Sequence, residues 1–154
     1  MSLKQPWAAL AVHAAKSVEV RRWATSHRGP LLIHAARVDD MRPEAWACVP
    51  PELLHACELR GGIVGEVNVV GCGPYRDEAA FLADRGRHLN DPSWYEPGLH
   101  GWVFEGARTL PFVRAKGNVR LFGVEIEVAP AGPPPEVAGL LSRLWRAMGG
   151  GKIP

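Results

Sequence analysis

Cysteine is scarce in this chain, and its spacing fits no metal site. Three cysteines, Cys48, Cys57 and Cys72, occur among 154 residues, and no two of them form a Cys-x-x-Cys pair. Zinc sites and the disulfide frameworks of small secreted domains need closer or more numerous cysteines. We therefore expect a reduced cytoplasmic protein with no bound metal and no other cofactor.

Long apolar runs and several catalytic motifs are also missing. No run approaches the ~20 apolar residues that a transmembrane helix needs, and a helix signal begins too early to leave room for a secretory leader. The phosphate loop Gly-x-x-x-x-Gly-Lys-Ser/Thr, the zinc motif His-Glu-x-x-His and the nucleophile elbow Gly-x-Ser-x-Gly are absent. The sequence thus shows no sign of a membrane-spanning protein or of the enzyme classes that these motifs mark.

Charge of either sign is in little excess. Lysine and arginine number 18 against 16 acidic residues, which gives a net charge of +2. Binding to nucleic acid would therefore depend on local clustering of basic side chains and not on bulk charge. Tyrosine and phenylalanine are few, whereas six tryptophans are present, and a tryptophan face can stack a nucleobase for about 1–3 kcal/mol.

Local patterns predict helices and strands in an irregular order. Apolar spacing and turn residues predict strands over 17–23, 31–35, 63–71, 101–105 and 119–128, helices over 7–15, 39–46, 52–59 and 77–85, and a polar loop over 86–98. This order lacks the regular alternation of a parallel α/β sheet. We expect an α+β fold, with a small mixed or antiparallel sheet curled into a β-barrel and flanked by helices.

The chain length suits a single domain with one core. We place that domain at residues 1–128 and a linker rich in proline and glycine at 129–135. Residues 136–154 carry an apolar stripe at helical spacing, which predicts a C-terminal helix that packs on the same domain. The alternative is that this stripe binds a partner protein or a second copy of the chain.

A cation, a carboxylate and a second cation lie close together in the first predicted strand. Glu19 and Arg21 alternate with Val18 and Val20, so they share one face, and Lys16 stands just before the strand. Trp7 lies on the preceding helix. This concentration of charge beside an aromatic ring predicts a pocket.

Glu66 and His34 are further polar residues on predicted strands. Glu66 lies on a strand face between two valines, so it is either solvated or buried with a partner, for which Lys16 or Arg21 is available. His34 ends the second predicted strand and can donate to a phosphate or a base edge. The alternative for each is a purely structural role.

Basic and aromatic residues complete the candidate site. Lys116 and Asn118 flank a glycine in a stretch of alternating basic residues, which favours either a phosphate-binding edge or a solvated face. Trp7 and Trp102 are candidates to stack a base, with core packing as the alternative. Trp94 lies in the polar loop, where a core role is less expected.

These residues together resemble the ASCH domain family, which belongs to the PUA-like superfamily. The resemblance extends from about Leu3 to Val128 and is most specific near the N-terminus. The matching segments are Gln5-Pro6-Trp7-Ala8, then Lys16, Glu19 and Arg21, then Arg28-Gly29-Pro30, the strand ending in His34-Ala35, Gly65-Glu66-Val67, and Lys116-Gly117-Asn118. The family usually has a glycine two residues before the lysine, where this chain has Ala14.

The resemblance implies a module that binds RNA or a nucleotide-like small molecule, with no membrane partner. The oligomeric state is left open by the sequence, with a monomer as one option. The implied phosphate contacts are Lys16, Arg21 and Lys116, the implied stacking residues are Trp7 or Trp102, and the implied base-edge contacts are Gln5, Glu19, Glu66 and Asn118, with His34 beside them.

A hydrolase is the alternative that the resemblance leaves open. A branch of the family removes the acetyl group of N4-acetylcytidine with a lysine, a threonine and a glutamate. Lys16 and Glu66 match the lysine and the glutamate, while Glu19 stands at the threonine position. The implied catalytic residues are therefore Lys16, Glu19 and Glu66, and a ribonuclease variant would use the same cleft with His34.

Overall fold

The fold is given by a computed structural model, which describes residues 1–118 and residue 121. The sequence-based predictions of a strand at 119–128, a linker at 129–135 and a packed helix at 136–154 lie outside the described residues, apart from that single position.

Five strands and four short α-helices make up the described part of the chain. The strands are β1 (Ser2–Leu3), β2 (Val18–Arg21), β3 (Gly29–Ala35), β4 (Gly62–Pro74) and β5 (His100–Arg114). The helices are α1 (Trp7–Val12), α2 (Pro43–Ala47), α3 (Glu78–Ala83) and α4 (Arg85–His88), and 3₁₀ helices cover Pro51–Glu58 and Pro92–Trp94. None of the helices in this part of the chain is long and apolar enough to cross a membrane.

The strands form one mixed sheet in the order β1-β3-β4-β5-β2. β1 pairs with β3 in parallel, and the other pairs are antiparallel. The predicted α+β class is confirmed. Within residues 1–118, β1 and β2 are the two edges of the sheet, and no strand pairing joins them into a closed barrel. The edges nevertheless meet at one point, where the Arg21 guanidinium of β2 donates to the Ser2 carbonyl of β1 over 3.0 Å.

α1 forms the centre of the core. All six of its residues are buried, and it packs on β4 at Gly65, where an added Cβ would lie 2.5 Å from Val12 Cγ1. The helix ends three residues earlier than predicted. Ala14 adopts φ 60°, in the left-handed region that favours glycine, and the amide of Lys16 then donates back to the Leu10 carbonyl over 3.0 Å.

One strand was not predicted, another extends well past its predicted end, and the predicted loop is not structureless. β1 was missed because two residues are too few to show an alternating pattern. β5 runs to Arg114 instead of ending at 105, because Gly106 at φ 57° and exposed polar residues interrupt the alternation. The segment predicted as a loop over 86–98 contains most of α4 and the second 3₁₀ helix.

Candidate functional site

A cavity of about 620 Å³ opens where the two sheet edges approach each other. It is lined by residues of β1 and β2, by the end of β3 and the segment that follows it, by Asn90, and by the segment after β5. Its wall is unusually rich in charge. The basic side chains are Lys4, Arg21, Arg37, Arg42 and Lys116, and the acidic ones are Glu19 and Asp40.

Both carboxylates of the cavity are already paired with cations. Glu19 lies 3.1 Å from Arg21 Nε and 3.5 Å from Lys16 Nζ, and Asp40 Oδ2 lies 2.5 Å from Arg42 Nη2. The cavity therefore carries an excess of positive charge, and such a concave surface attracts anions.

Lys16 lies behind this wall. Its side chain is 1% exposed, and its ammonium group donates to the His88 carbonyl over 2.5 Å and lies 4.9 Å from the Trp7 ring centroid. Burial lowers the pKa of Lys16, and the nearby Glu19 carboxylate opposes that shift. Lys16 does not itself line the cavity, whereas Glu19 and Trp7, which it contacts, both do.

Arg21 joins the two sheet edges at the mouth of the cavity. Its Nη2 donates to the Ser2 carbonyl, whereas its buried Nε makes an ion pair with Glu19 but no well-aligned hydrogen bond. The alternation of β2 places Glu19 and Arg21 side by side, and the structure brings both of them, together with Trp7, to the cavity.

His34 is held by the segment that follows β5. Its Nε2 lies 3.0 Å from the Ala115 carbonyl, so Nε2 carries the proton, and its Nδ1 lies 3.1 Å from Ser2 Oγ. Gly117 packs directly on this pair, because an added Cβ would lie 2.5 Å from His34 Cε1. The close approach brings Lys116 and Asn118 to the cavity, as the sequence suggests.

Asp40, which is not among the predicted site residues, organises the aromatic end of the cavity. Asp40 accepts from Trp7 Nε1 over 2.8 Å and from Arg42 Nε over 2.9 Å. Hydrogen bonds from Arg42 hold the pKa of Asp40 well below its usual range. The Arg42 guanidinium in turn covers the Trp94 ring, with Cζ 3.5 Å from the centroid. Sequence reasoning missed Arg42, whose only signal is its position two residues after the aspartate.

Gln5 and Trp102 do not line the cavity. The Gln5 amide donates to the Leu59 carbonyl over 2.9 Å and accepts from the Ala9 amide over 3.0 Å, so it ties α1 to the first 3₁₀ helix. Trp102 is fully buried against Trp23, with ring centroids 4.5 Å apart. The structure therefore gives both residues core roles, since their polar groups and rings are already occupied by protein.

Glu66 lies on the other face of the sheet. Gly65 faces α1, so the next side chain points away from that helix. Its ion-pair partner is Arg108, at 2.9 Å, and not Lys16 or Arg21. The structure thus does not bring Glu66 to the cavity. Among the residues described, no group of three histidine, cysteine, aspartate or glutamate side chains is placed to hold a metal ion.

Comparison with known proteins gives a family and a fold. The family model for the ASCH domain matches residues 1–112. The crystal structure of ASCH from Zymomonas mobilis has a TM-score of 0.51 and 15% identity, and the match covers 74% of this chain and 71% of that one. A point mutant of the Zymomonas mobilis protein matches with a TM-score of 0.51 and 13% identity, covering 74% and 73% of the two chains. At such identities the likeness concerns the fold alone, and no curated protein matches the chain.

Proposed function

The chain belongs to the ASCH domain family, and we propose that its cavity between β1 and β2 binds RNA or a nucleotide-like small molecule. The observation that carries the proposal is the charge of the wall, where five cations face two carboxylates that are each already paired. Phosphates are the natural partners of such a surface. The cavity volume of about 620 Å³ is also in the usual range for small-molecule sites.

Arg21 and Lys116 are the phosphate contacts of this proposal. Both line the cavity, and Lys116 is exposed. Lys16, the third phosphate contact expected from the resemblance, is enclosed by protein and instead holds Glu19. Trp7, Asn118 and Glu19 remain as contacts for a base, because they also line the cavity.

A hydrolase built on Lys16 and Glu66 has less support. Such an enzyme needs both groups at one substrate, whereas Lys16 is bound to the His88 carbonyl and Glu66 to Arg108. A general acid or base must lie within hydrogen-bonding reach of the proton that it transfers. The geometry therefore favours binding over amide or phosphodiester hydrolysis.

Cavity cations and a distant cation can be compared directly in a binding assay. We expect Lys116→Ala and Arg21→Ala each to weaken binding of a short single-stranded RNA about tenfold, since one charge-assisted hydrogen bond contributes about 1.5–3 kcal/mol. Arg108→Ala is the matched control, because this exposed arginine pairs with Glu66 away from the cavity. Fluorescence anisotropy at low salt measures all four proteins.

Three results would overturn the proposal, two from the binding assay and one from an assay of hydrolysis. The first two are an equal loss of affinity in Arg108→Ala and in the cavity variants, and no affinity in the wild type at low salt. The third is release of acetate from N4-acetylcytidine by the wild type that Lys16→Ala and Glu66→Gln both abolish, since that outcome assigns the site to hydrolysis.

A further inference from the structure

The Arg42 guanidinium is a flat group held in place on one face and one edge. The Trp94 ring covers one face, with Arg42 Cζ 3.5 Å from the ring centroid. The Asp40 carboxylate takes the edge that carries Nε and Nη2, over 2.9 and 2.5 Å. The side chain is still 51% exposed and lines the cavity. Its second face is therefore open and fixed in orientation.

The neighbouring tryptophans offer no comparable surface. Trp94 has one face under Arg42, and its ring meets that of Trp7 edge to face, at 6.0 Å and 85°. Trp7 is 7% exposed, with its indole N–H bound to Asp40 and the Lys16 ammonium over its ring. At this end of the cavity Arg42, which is 51% exposed, therefore offers more accessible planar surface than Trp7 does.

Asn90 lines the same cavity. Within residues 1–118 no hydrogen bond engages its side chain, while its backbone amide donates to His88 Nδ1 over 3.0 Å. The buried His88 ring is itself held by the Phe81 carbonyl at 2.8 Å. Asn90 is therefore anchored through its backbone and presents a donor and an acceptor side by side.

We infer that the open face of Arg42 is the platform on which the nucleobase of the ligand stacks, and that the Asn90 amide contacts the edge of that base. The inference rests on the proposed function and adds the orientation of the ligand in the cavity. Guanidinium planes stack bases in single-stranded RNA recognition, where base edges are read by hydrogen bonds.

The opposite end of the cavity then takes the phosphate. Ser2, on β1, lies beside Arg21 and His34, and the Gln5 carbonyl, just beyond β1, accepts from the Asp40 amide. Both ends of the cavity are thus attached to the same short stretch of chain.

The variant Arg42→Lys distinguishes a contribution of stacking from a contribution of charge. Lysine keeps the positive charge but lacks the planar guanidinium group. Calorimetric titration with adenosine, guanosine, cytidine and uridine monophosphates, and with ribose 5-phosphate, is carried out on the wild type and on Arg42→Lys. We expect the variant to lose about tenfold in affinity for the nucleotides and to bind ribose 5-phosphate unchanged. Arg60→Lys is the matched control, because Asp39 likewise binds Nε and Nη2 of this arginine, which does not line the cavity; it should bind both ligand classes as the wild type does.

Asn90→Ala is titrated with the four nucleotides in the same way. We expect it to reduce the differences in affinity among them several-fold and to leave ribose 5-phosphate binding unchanged.

Thermal melts of Arg42→Lys and of the wild type are compared before the titrations. Arg42 is 51% exposed, so we expect this variant to fold.

The outcomes distinguish this inference from the proposed function. If Arg42→Lys binds nucleotides as tightly as the wild type, or loses nucleotides and ribose 5-phosphate equally, Arg42 is no platform, while nucleotide binding stands. If Asn90→Ala leaves the base preferences unchanged, its role as an edge contact is wrong. A wild-type protein that binds the short RNA but none of the nucleotides overturns this inference alone, and one that binds neither overturns both.

Discussion

Lys16 is a buried charged residue that does not line the cavity but contacts two residues that do. Three groups surround its ammonium: the His88 carbonyl, the Glu19 carboxylate and the Trp7 ring. An isolated buried ammonium would be very costly, and these contacts offset much of that cost. Glu19 and Trp7 both line the cavity, so we expect Lys16 to position them.

The lowered pKa of Lys16 predicts a dependence of stability on pH. The unfolded chain, in which Lys16 has its ordinary pKa of 10.5, binds more protons than the folded one between the lowered pKa and that value. The free energy of unfolding of the wild type should therefore rise with pH across this window. Lys16→Met should lack this rise in chemical denaturation at neutral and alkaline pH.

Lys4→Met is the control for that measurement. Lys4 is an exposed lysine of the same cavity. Because it is not buried on folding, Lys4→Met should keep the wild-type dependence of the free energy of unfolding on pH. An equal slope in the wild type and in Lys16→Met would show that the buried ammonium does not titrate as the geometry requires.

At the scale of elements, the contact between α1 and β4 sets the position of the cavity. α1 carries Trp7 at its first turn, and its last turn rests on Gly65 of β4. A side chain at Gly65 would press on Val12 and on the backbone of β5, and would push the helix outward. The missing Cβ is thus a packing requirement, since backbone strain is not involved.

Gly65→Ala should lower the free energy of unfolding by about 1–3 kcal/mol, as overpacking of a core does. The added Cβ would lie 2.5 Å from both Val12 Cγ1 and the Arg108 carbonyl oxygen. Displacing a backbone atom of a paired strand costs more free energy than moving the end of a flexible side chain. Gly73→Ala, on the same strand, meets nothing within 4 Å and should change stability by less than about 0.5 kcal/mol. Urea denaturation compares the two, and equal stabilities would contradict the close packing of α1.

At the scale of the whole described fold, the positive charge of the cavity is assembled from distant parts of the chain. Lys4 precedes α1, Arg21 ends β2, Arg37 follows β3, Arg42 precedes α2 and Lys116 follows β5. No single segment is strongly basic, and the net charge of +2 gives no hint of it. The curvature that brings β1 and β2 together produces the local charge excess.

This assembly predicts a strong dependence of RNA binding on salt. Each phosphate neutralised on a single strand contributes about −0.7 to the slope of log affinity against log salt, so five cavity cations allow a slope as steep as about −3.5. Lys116→Ala should reduce the magnitude of the slope by about 0.7, and Arg108→Ala should leave it unchanged. Anisotropy titrations over a series of salt concentrations measure this, and RNA affinity independent of salt would contradict a phosphate-binding cavity.

Local features of the sequence were sufficient for part of the fold and part of the site. The apolar spacing predicted α1, and the alternation in β2 predicted that Glu19 and Arg21 share a face, because both depend on residues only a few positions apart. The same reasoning did not show which tryptophans are buried. Trp7 and Trp102 carry the same kind of signal, yet only Trp7 lines the cavity.

By itself, the amino-acid sequence determined the α+β class, the family and the group of charged residues around Lys16. Only the tertiary structure decided their partners: Glu66 pairs with Arg108, 42 positions away, and Asp40 joins Trp7 across 33 positions. The physical reason is that strand register and helix packing choose which faces meet. A pattern within one segment shows what each face carries, but not what lies opposite it.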